Sequence, residues 1–132
     1  MRVKKFKILE FPYFSDDRGE TIPFELDESF PFVVKRVYIV TGRDGEVRGG
    51  HAHKHEQELF VCVSGRVKVL IHDGQHESEI SLENKNKALL VRSHCWHEFW
   101  DFSPDAVLLA FSSTHYEGRN GYIESKTEFL KS

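Results

Sequence analysis

Apolar and polar residues alternate along much of this chain with the period of a β-strand. Val67, Val69 and Ile71 interleave with Lys68, Leu70 and His72, which gives one uniformly apolar face. Leu59–Val63 is a short unbroken apolar run, and the Ser64-Gly65 break between it and Val67–His72 predicts a hairpin. Val33–Val40 is rich in β-branched residues and ends at Thr41-Gly42-Arg43-Asp44-Gly45, a loop signal. Asp73-Gly74 marks the next turn, after which Ala88–Val91, His97–Phe102 and Val107–Ser112 continue the series. Only Lys126–Lys131 reads as helical. Eight or more short strands at spacings of about ten residues predict an all-β sandwich or barrel. Such folds act at a concave mouth or interior lined by alternate strand residues.

Composition narrows this to one domain spanning residues 1–132, with no repeat, linker or low-complexity stretch. Eleven phenylalanines and 39% hydrophobic residues can furnish a core. A net charge of −3 gives no general attraction to nucleic acid or to anionic membranes. No apolar run approaches the ~20 residues needed to cross a bilayer. The basic start, Met1-Arg2-Val3-Lys4-Lys5, soon meets Glu10, Asp16 and Asp17 and is not a secretory signal. Cys62 and Cys95 make no disulfide framework, so they read as reduced thiols in a cytoplasmic protein.

Candidate chemistry comes from histidine, of which there are eight. His51 and His53 share one face of a strand, about 7 Å apart along the chain. Paired glycines, Gly49 and Gly50, precede them and permit close approach of backbone or ligand. Glu58 follows His53 by five residues, Gly65 follows Glu58 by seven, and His97 lies on a later strand. This spacing resembles the first signature of the cupins and implies an all-β cupin barrel, a jelly roll. In metal-binding cupins the equivalent positions surround one divalent ion, which here would be held by His51, His53, Glu58 and His97. Imidazole and carboxylate suit iron, manganese, nickel or zinc. His55, His72, His76, His94 and His115 read as surface residues.

A closer resemblance rests on Asp17-Arg18-Gly19, Lys35-Arg36-Val37-Tyr38, Arg48-Gly49-Gly50-His51-Ala52-His53-Lys54 and Cys62-Val63-Ser64-Gly65. Trp96, Asp101-Phe102-Ser103, Val107-Leu108-Leu109, Tyr122-Ile123 and Glu128-Phe129-Leu130 extend it. In these stretches the chain is similar to the sugar nucleotide 3,4-ketoisomerases, the FdtA-type or WxcM-like cupins. The resemblance implies a homodimeric isomerase of a dTDP-linked 4-keto-6-deoxyhexose that needs no cofactor. It would move the carbonyl from C4 to C3 through an enediol, for amino sugars of bacterial surface polysaccharide. It implies that His51 moves the carbon proton and His53 the oxygen proton. Tyr38 would bond the sugar oxygens and Arg18 would stabilise enediolate or pyrophosphate charge, while Arg48, Lys54, Trp96 and His97 would bind substrate. The Lys5–Glu10 strand could exchange between subunits.

Departures from the family pattern sharpen the alternatives. Glu58 stands where the family has glutamine, Arg66 replaces a serine, and Arg92-Ser93-His94-Cys95 replaces a proline-bearing segment. Gly121 and Glu124 replace an acidic residue and an arginine around Tyr122-Ile123. Glu58 completes the four-ligand set, so a metal-dependent cupin is one competing reading. A non-catalytic sugar-nucleotide-binding module, using Trp96, Phe99, Trp100 and Phe102 to stack on base or sugar, is another.

Overall fold

A computed structural model describes residues 5–43 and 45–132. Residues 1–4 of the basic N-terminus, and Asp44 of the Asp-Gly turn, lie outside the described residues. The strands are β1 (Phe6–Glu10), β2 (Phe14–Asp16), β3 (Gly19–Thr21), β4 (Arg36–Val40), β5 (Arg48–His53) and β6 (Glu58–Ser64). They continue as β7 (Val67–His72), β8 (Glu77–Leu82), β9 (Lys87–Val91), β10 (Trp96–Trp100), β11 (Val107–Ser112) and β12 (Tyr122–Ile123). One helix, α1 (Lys126–Lys131), follows. Two antiparallel five-stranded sheets, β1-β9-β6-β11-β4 and β12-β5-β10-β7-β8, face each other, and β2–β3 forms a separate hairpin. This is the all-β cupin-type barrel expected from the chain.

The alternating strand behaves as its pattern requires. Val67, Val69 and Ile71 of β7 are fully buried and meet Phe60, Cys62, Leu89, Val91, Leu108 and Ala110 of the opposite sheet. β6 and β9 are buried on both faces, which is why Leu59–Val63 shows no alternation. Their outer face packs Leu59, Val61 and Leu90 under Phe30, with Phe11, Phe24 and Phe32 beside it. The Phe30 and Phe111 rings meet edge-on at 5.3 Å. The many phenylalanines therefore build a second apolar layer outside the barrel, and not only its interior.

Val33, Val34 and Lys35, expected to extend β4, lie outside the strand, and Val33 is exposed. β1 pairs with β9 of the same chain, Phe6 opposite Val91. The β6–β7 turn depends on Gly65, whose φ is +67°; a Cβ there would stand 2.3 Å from Ser103 Oγ. α1 is too short to persist alone. Ser125 caps it by accepting from the Glu128 amide, and Phe129 seats it against Ala52 and Trp96. No helix among the described residues is long and apolar enough to cross a membrane.

Candidate active site

β5 carries the histidine pair, and its local sequence explains its position. Gly49 and Gly50 have φ of +84° and +79°, and a Cβ on Gly49 would approach the His97 carbonyl oxygen to 3.1 Å. Glycine thus lets β5 curve against β10, where His51 lies directly opposite His97 and the pairing register shifts after it. The three imidazoles converge: ring centroids are 4.8 Å apart for His51–His53, 5.0 Å for His51–His97 and 5.4 Å for His53–His97. His51 and His97 form one end of a cavity of about 150 Å³, whose wall also includes Arg36, Tyr38, Arg48 and Tyr122.

The histidines differ in what surrounds them. Burial, helped by the charge of neighbouring His53, pulls His51 down to about 4, so its ring is neutral throughout the physiological range. His53 lies behind it, only 3% exposed, with Nδ1 2.7 Å from Glu56 Oε2 and Nε2 2.6 Å from Glu58 Oε1. Burial alone would lower His53, but the two carboxylates outweigh it and hold the ring cationic, raising it to about 9. Neither ring nitrogen makes a well-aligned hydrogen bond, so these contacts are ion pairs by proximity and charge. His97 is buried, which holds it well below the usual histidine range. Its Nδ1 donates to the Cys95 carbonyl at 3.2 Å, and Nε2 stands 3.8 Å from Glu58 Oε1.

A polar network extends from His53 in both directions. The Tyr38 hydroxyl donates to Glu58 Oε2, and burial, with the Glu58 charge, raises that phenol far above its ordinary value. Glu56 accepts from Arg36 at 2.8 Å and from the Ser112 hydroxyl. The Arg36 guanidinium also lies over the Tyr38 ring, 4.8 Å from its centroid. Tyr38, Glu58, His53, Glu56 and Arg36 are therefore one connected unit beside the cavity.

Not every expected site residue is drawn in. Trp96 precedes His97, so the two-residue period of β10 turns it to the opposite face. There it packs against Ala52 and Phe129 and donates from Nε1 to Glu98 at 3.2 Å. Lys54 is exposed outside the cavity, its amide bonded to the Gly121 carbonyl at 2.9 Å. Arg18 sits on the β2–β3 hairpin with its side chain 90% exposed, paired with Asp16 at 3.1 Å. It lines a separate open hollow with Asp16 and Glu20, so within one chain it does not reach the histidines. His53 itself is behind the wall and absent from the lining. Of the remaining histidines, His55, His76, His94 and His115 are exposed as expected, while His72 is half-buried against Phe129. Cys62 and Cys95 are buried free thiols.

Three residues at the site were given no role by the sequence: Arg36, Glu56 and Tyr122. Glu56 was detectable as a carboxylate three residues after His53, but the cupin spacing drew attention to Glu58 instead. The ligand atoms of His51, His53 and His97 fall within 4.8 Å of one another, as do those of His53, Glu56 and Glu58. A divalent ion needs neutral imidazoles, and both nitrogens of His53 face carboxylates, Glu56 and Glu58. The donor set is gathered, and His51, His53, Glu58 and His97 are the residues that would hold an ion.

The barrel and its histidine-lined cavity define a cupin-type scaffold, and similar proteins specify which kind. The family described as "FdtA: WxcM-like, C-terminal" matches residues 4–132. The chain is 36% identical over 126 residues to the TDP-4-oxo-6-deoxy-alpha-D-glucose-3,4-oxoisomerase of Aneurinibacillus thermoaerophilus, covering 95% of this chain and 90% of that one. A 3,4-ketoisomerase from Helicobacter canadensis superposes with a TM-score of 0.88 at 33% identity, over 96% of this chain and 95% of that one. A mutant of the 3,4-ketoisomerase QdtA from Thermoanaerobacterium thermosaccharolyticum, in complex with TDP-4-keto-6-deoxyglucose, gives 0.91 at 27% identity, over 98% and 94%. The chain belongs to the FdtA-type, WxcM-like family.

Proposed function

We propose that this protein is a sugar nucleotide 3,4-ketoisomerase acting on a TDP-linked 4-keto-6-deoxyglucose. The observation that carries the reading is His51: a neutral, uncommitted imidazole at the wall of a cavity shared with Tyr38, Arg36 and Arg48. Moving a ketone to the adjacent carbon requires a base that takes the acidic C3 proton and returns it at C4. A neutral histidine does both, becoming imidazolium in between. The enediol's other requirement is transfer of a proton from O3 to O4. The Tyr38 hydroxyl, with Glu58 and cationic His53 behind it, suits that transfer: it passes its own proton to O4 as it receives the proton of O3. His53 then acts through Glu58, without touching the sugar.

Arg36 and Arg48 line the cavity and would add positive charge beside an enediolate, the role expected of Arg18. The reaction is redox-neutral within one sugar and needs no redox cofactor, and the metal-free course is the one taken here. Homodimerisation fits the exposed Val37 and Ile39 on edge strand β4. The product is an acceptor for amination at C3, consistent with a cytoplasmic place in the synthesis of 3-amino-3,6-dideoxyhexoses for surface polysaccharide.

Protein freed of metal by a chelator should convert TDP-4-keto-6-deoxyglucose to a 3-keto product at an undiminished rate, followed by proton NMR. Loss of turnover that zinc or manganese restores would favour the metal-dependent reading. Tyr38→Phe should lower kcat on the order of 100-fold with KM little changed, because a bond to the migrating proton matters mainly in the transition state. An effect confined to KM would make Tyr38 a substrate-positioning group.

A further inference from the structure

The His51 ring has one full-face partner among the described residues. Tyr122 stacks on it with centroids 4.5 Å apart and planes only 13° from parallel. The same phenol ring meets His53 edge-on at 4.7 Å and 83°. His53 and His97 in turn touch His51 at steep angles, 74° and 83°. Histidine edges thus meet His51 while Tyr122 covers a face, and this leaves the imidazole little freedom to turn. A ring that must take a proton at one carbon and deliver it to the next gains from such restriction, because rotation would carry its nitrogen off both positions.

Tyr122 is held there by the end of the chain. β12 is only two residues long and pairs with β5, Tyr122 opposite His53 and Ile123 opposite Ala52. A bond from the Lys54 amide to the Gly121 carbonyl, 2.9 Å, fixes the strand's entry. Ile123 and Phe129 close it down on Ala52 and Trp96. Gly121 is buried, with a Cβ position 3.1 Å from Glu117 Oε2, so the approach is close-packed. What acts on the Tyr122 hydroxyl is burial first and then the charges of Glu56 and Glu58, with no hydrogen bond among the causes. The contact that matters is the ring's.

We infer that Tyr122 is a positioning residue for the isomerisation: its ring, delivered by the C-terminal segment, locks the imidazole of His51 in the plane from which it serves both carbons. This rests on the proposed ketoisomerase reading and adds to it a residue outside the histidine pair and Tyr38. The stack is aromatic, so the inference separates Phe from aliphatic replacements.

The test compares Tyr122→Phe with Tyr122→Leu and Tyr122→Ala in the full-length protein. Tyr122→Phe should keep kcat within about threefold, since the stacked face is retained. Tyr122→Leu and Tyr122→Ala should lower kcat on the order of 100-fold at little-changed KM, the penalty of a misaligned reacting group. Tyr122→Leu preserves apolar bulk and keeps the test valid should the alanine variant fold poorly. A rate in Tyr122→Leu equal to the parent's, or a loss in Tyr122→Phe as large as in Tyr122→Leu, would overturn the inference. The second readout does not depend on turnover: carbon relaxation of ¹³C-histidine protein should show the His51 ring rigid in the parent and Tyr122→Phe, and mobile in Tyr122→Leu. Equal ring order in all three would also overturn it. A parent without turnover but with this pattern of ring order would instead sink the ketoisomerase reading and leave only the restraint of the His51 ring by Tyr122 standing.

Discussion

His51→Asn should abolish turnover, a loss on the order of 1,000-fold or more, while the protein stays folded. Asparagine fills a similar volume and can still hydrogen-bond, but it cannot accept a proton from carbon near neutral pH. Little stability rides on the change, because His51 is neutral and only half-buried. Its ring lines the cavity, and no ion pair to it is seen among the described residues. The thermal midpoint should therefore move little, and binding of TDP-sugar, measured by calorimetry, should persist. A variant retaining more than a few per cent of the parent rate would remove His51 from the reaction. The pH profile carries the same assignment: as a group lowered to about 4, His51 should impose no loss of rate between pH 6 and 8.

The second large effect falls on stability. Glu56 is 6% exposed and meets His53 Nδ1, Arg36 and the Ser112 hydroxyl. Its own burial would raise its carboxyl, but His53, Ser112 and Arg36 hold it down, to about 2. Glu56→Ala removes the carboxylate shared by His53 and Arg36, leaving His53 with Glu58 alone, and should cost about 3 kcal/mol, read as a lower denaturation midpoint. A change below about 1 kcal/mol, the range of exposed pairs, would show the unit to be slack. The pH dependence has a definite sign. His53 is raised from the ordinary histidine value near 6.5 to about 9, so its contribution is complete below 6.5. That contribution drains away as pH climbs from 6.5 through 9, at up to roughly 1.4 kcal/mol per unit. In Glu56→Ala the alkaline decline should flatten, because one of the two carboxylates that sustain the His53 charge is gone.

The parts of this protein legible in the sequence are those governed by local periodicity. β7 shows its burial in alternate residues because one face meets the core and the other is half-exposed. β6 and β9 hide theirs, since the phenylalanine layer around Phe30 covers the second face and erases the alternation. β2, β3 and β12 are two or three residues long and carry no period at all. At the site, the spacing of His51 and His53 correctly places them on one strand, while the curve that sets His51 against His97 is visible only as paired glycines. Trp96 falls outside the cavity because adjacency to His97 is the opposite of proximity on a strand. Arg18 enters the site by resemblance alone, and within one chain its hairpin stands clear of the cavity. The role of His53 depends on Glu56 and Glu58 closing on its two nitrogens, a tertiary fact that spacing does not encode.

The most direct test of His51 as the base is proton NMR of TDP-4-keto-6-deoxyglucose incubated in deuterated buffer with parent protein and with His51→Asn. The expected result is a 3-keto product in the parent sample, and neither product nor exchange at C3 with His51→Asn. Exchange at C3 that continues unabated in the His51→Asn variant would contradict it, because some other group would then be moving the carbon proton.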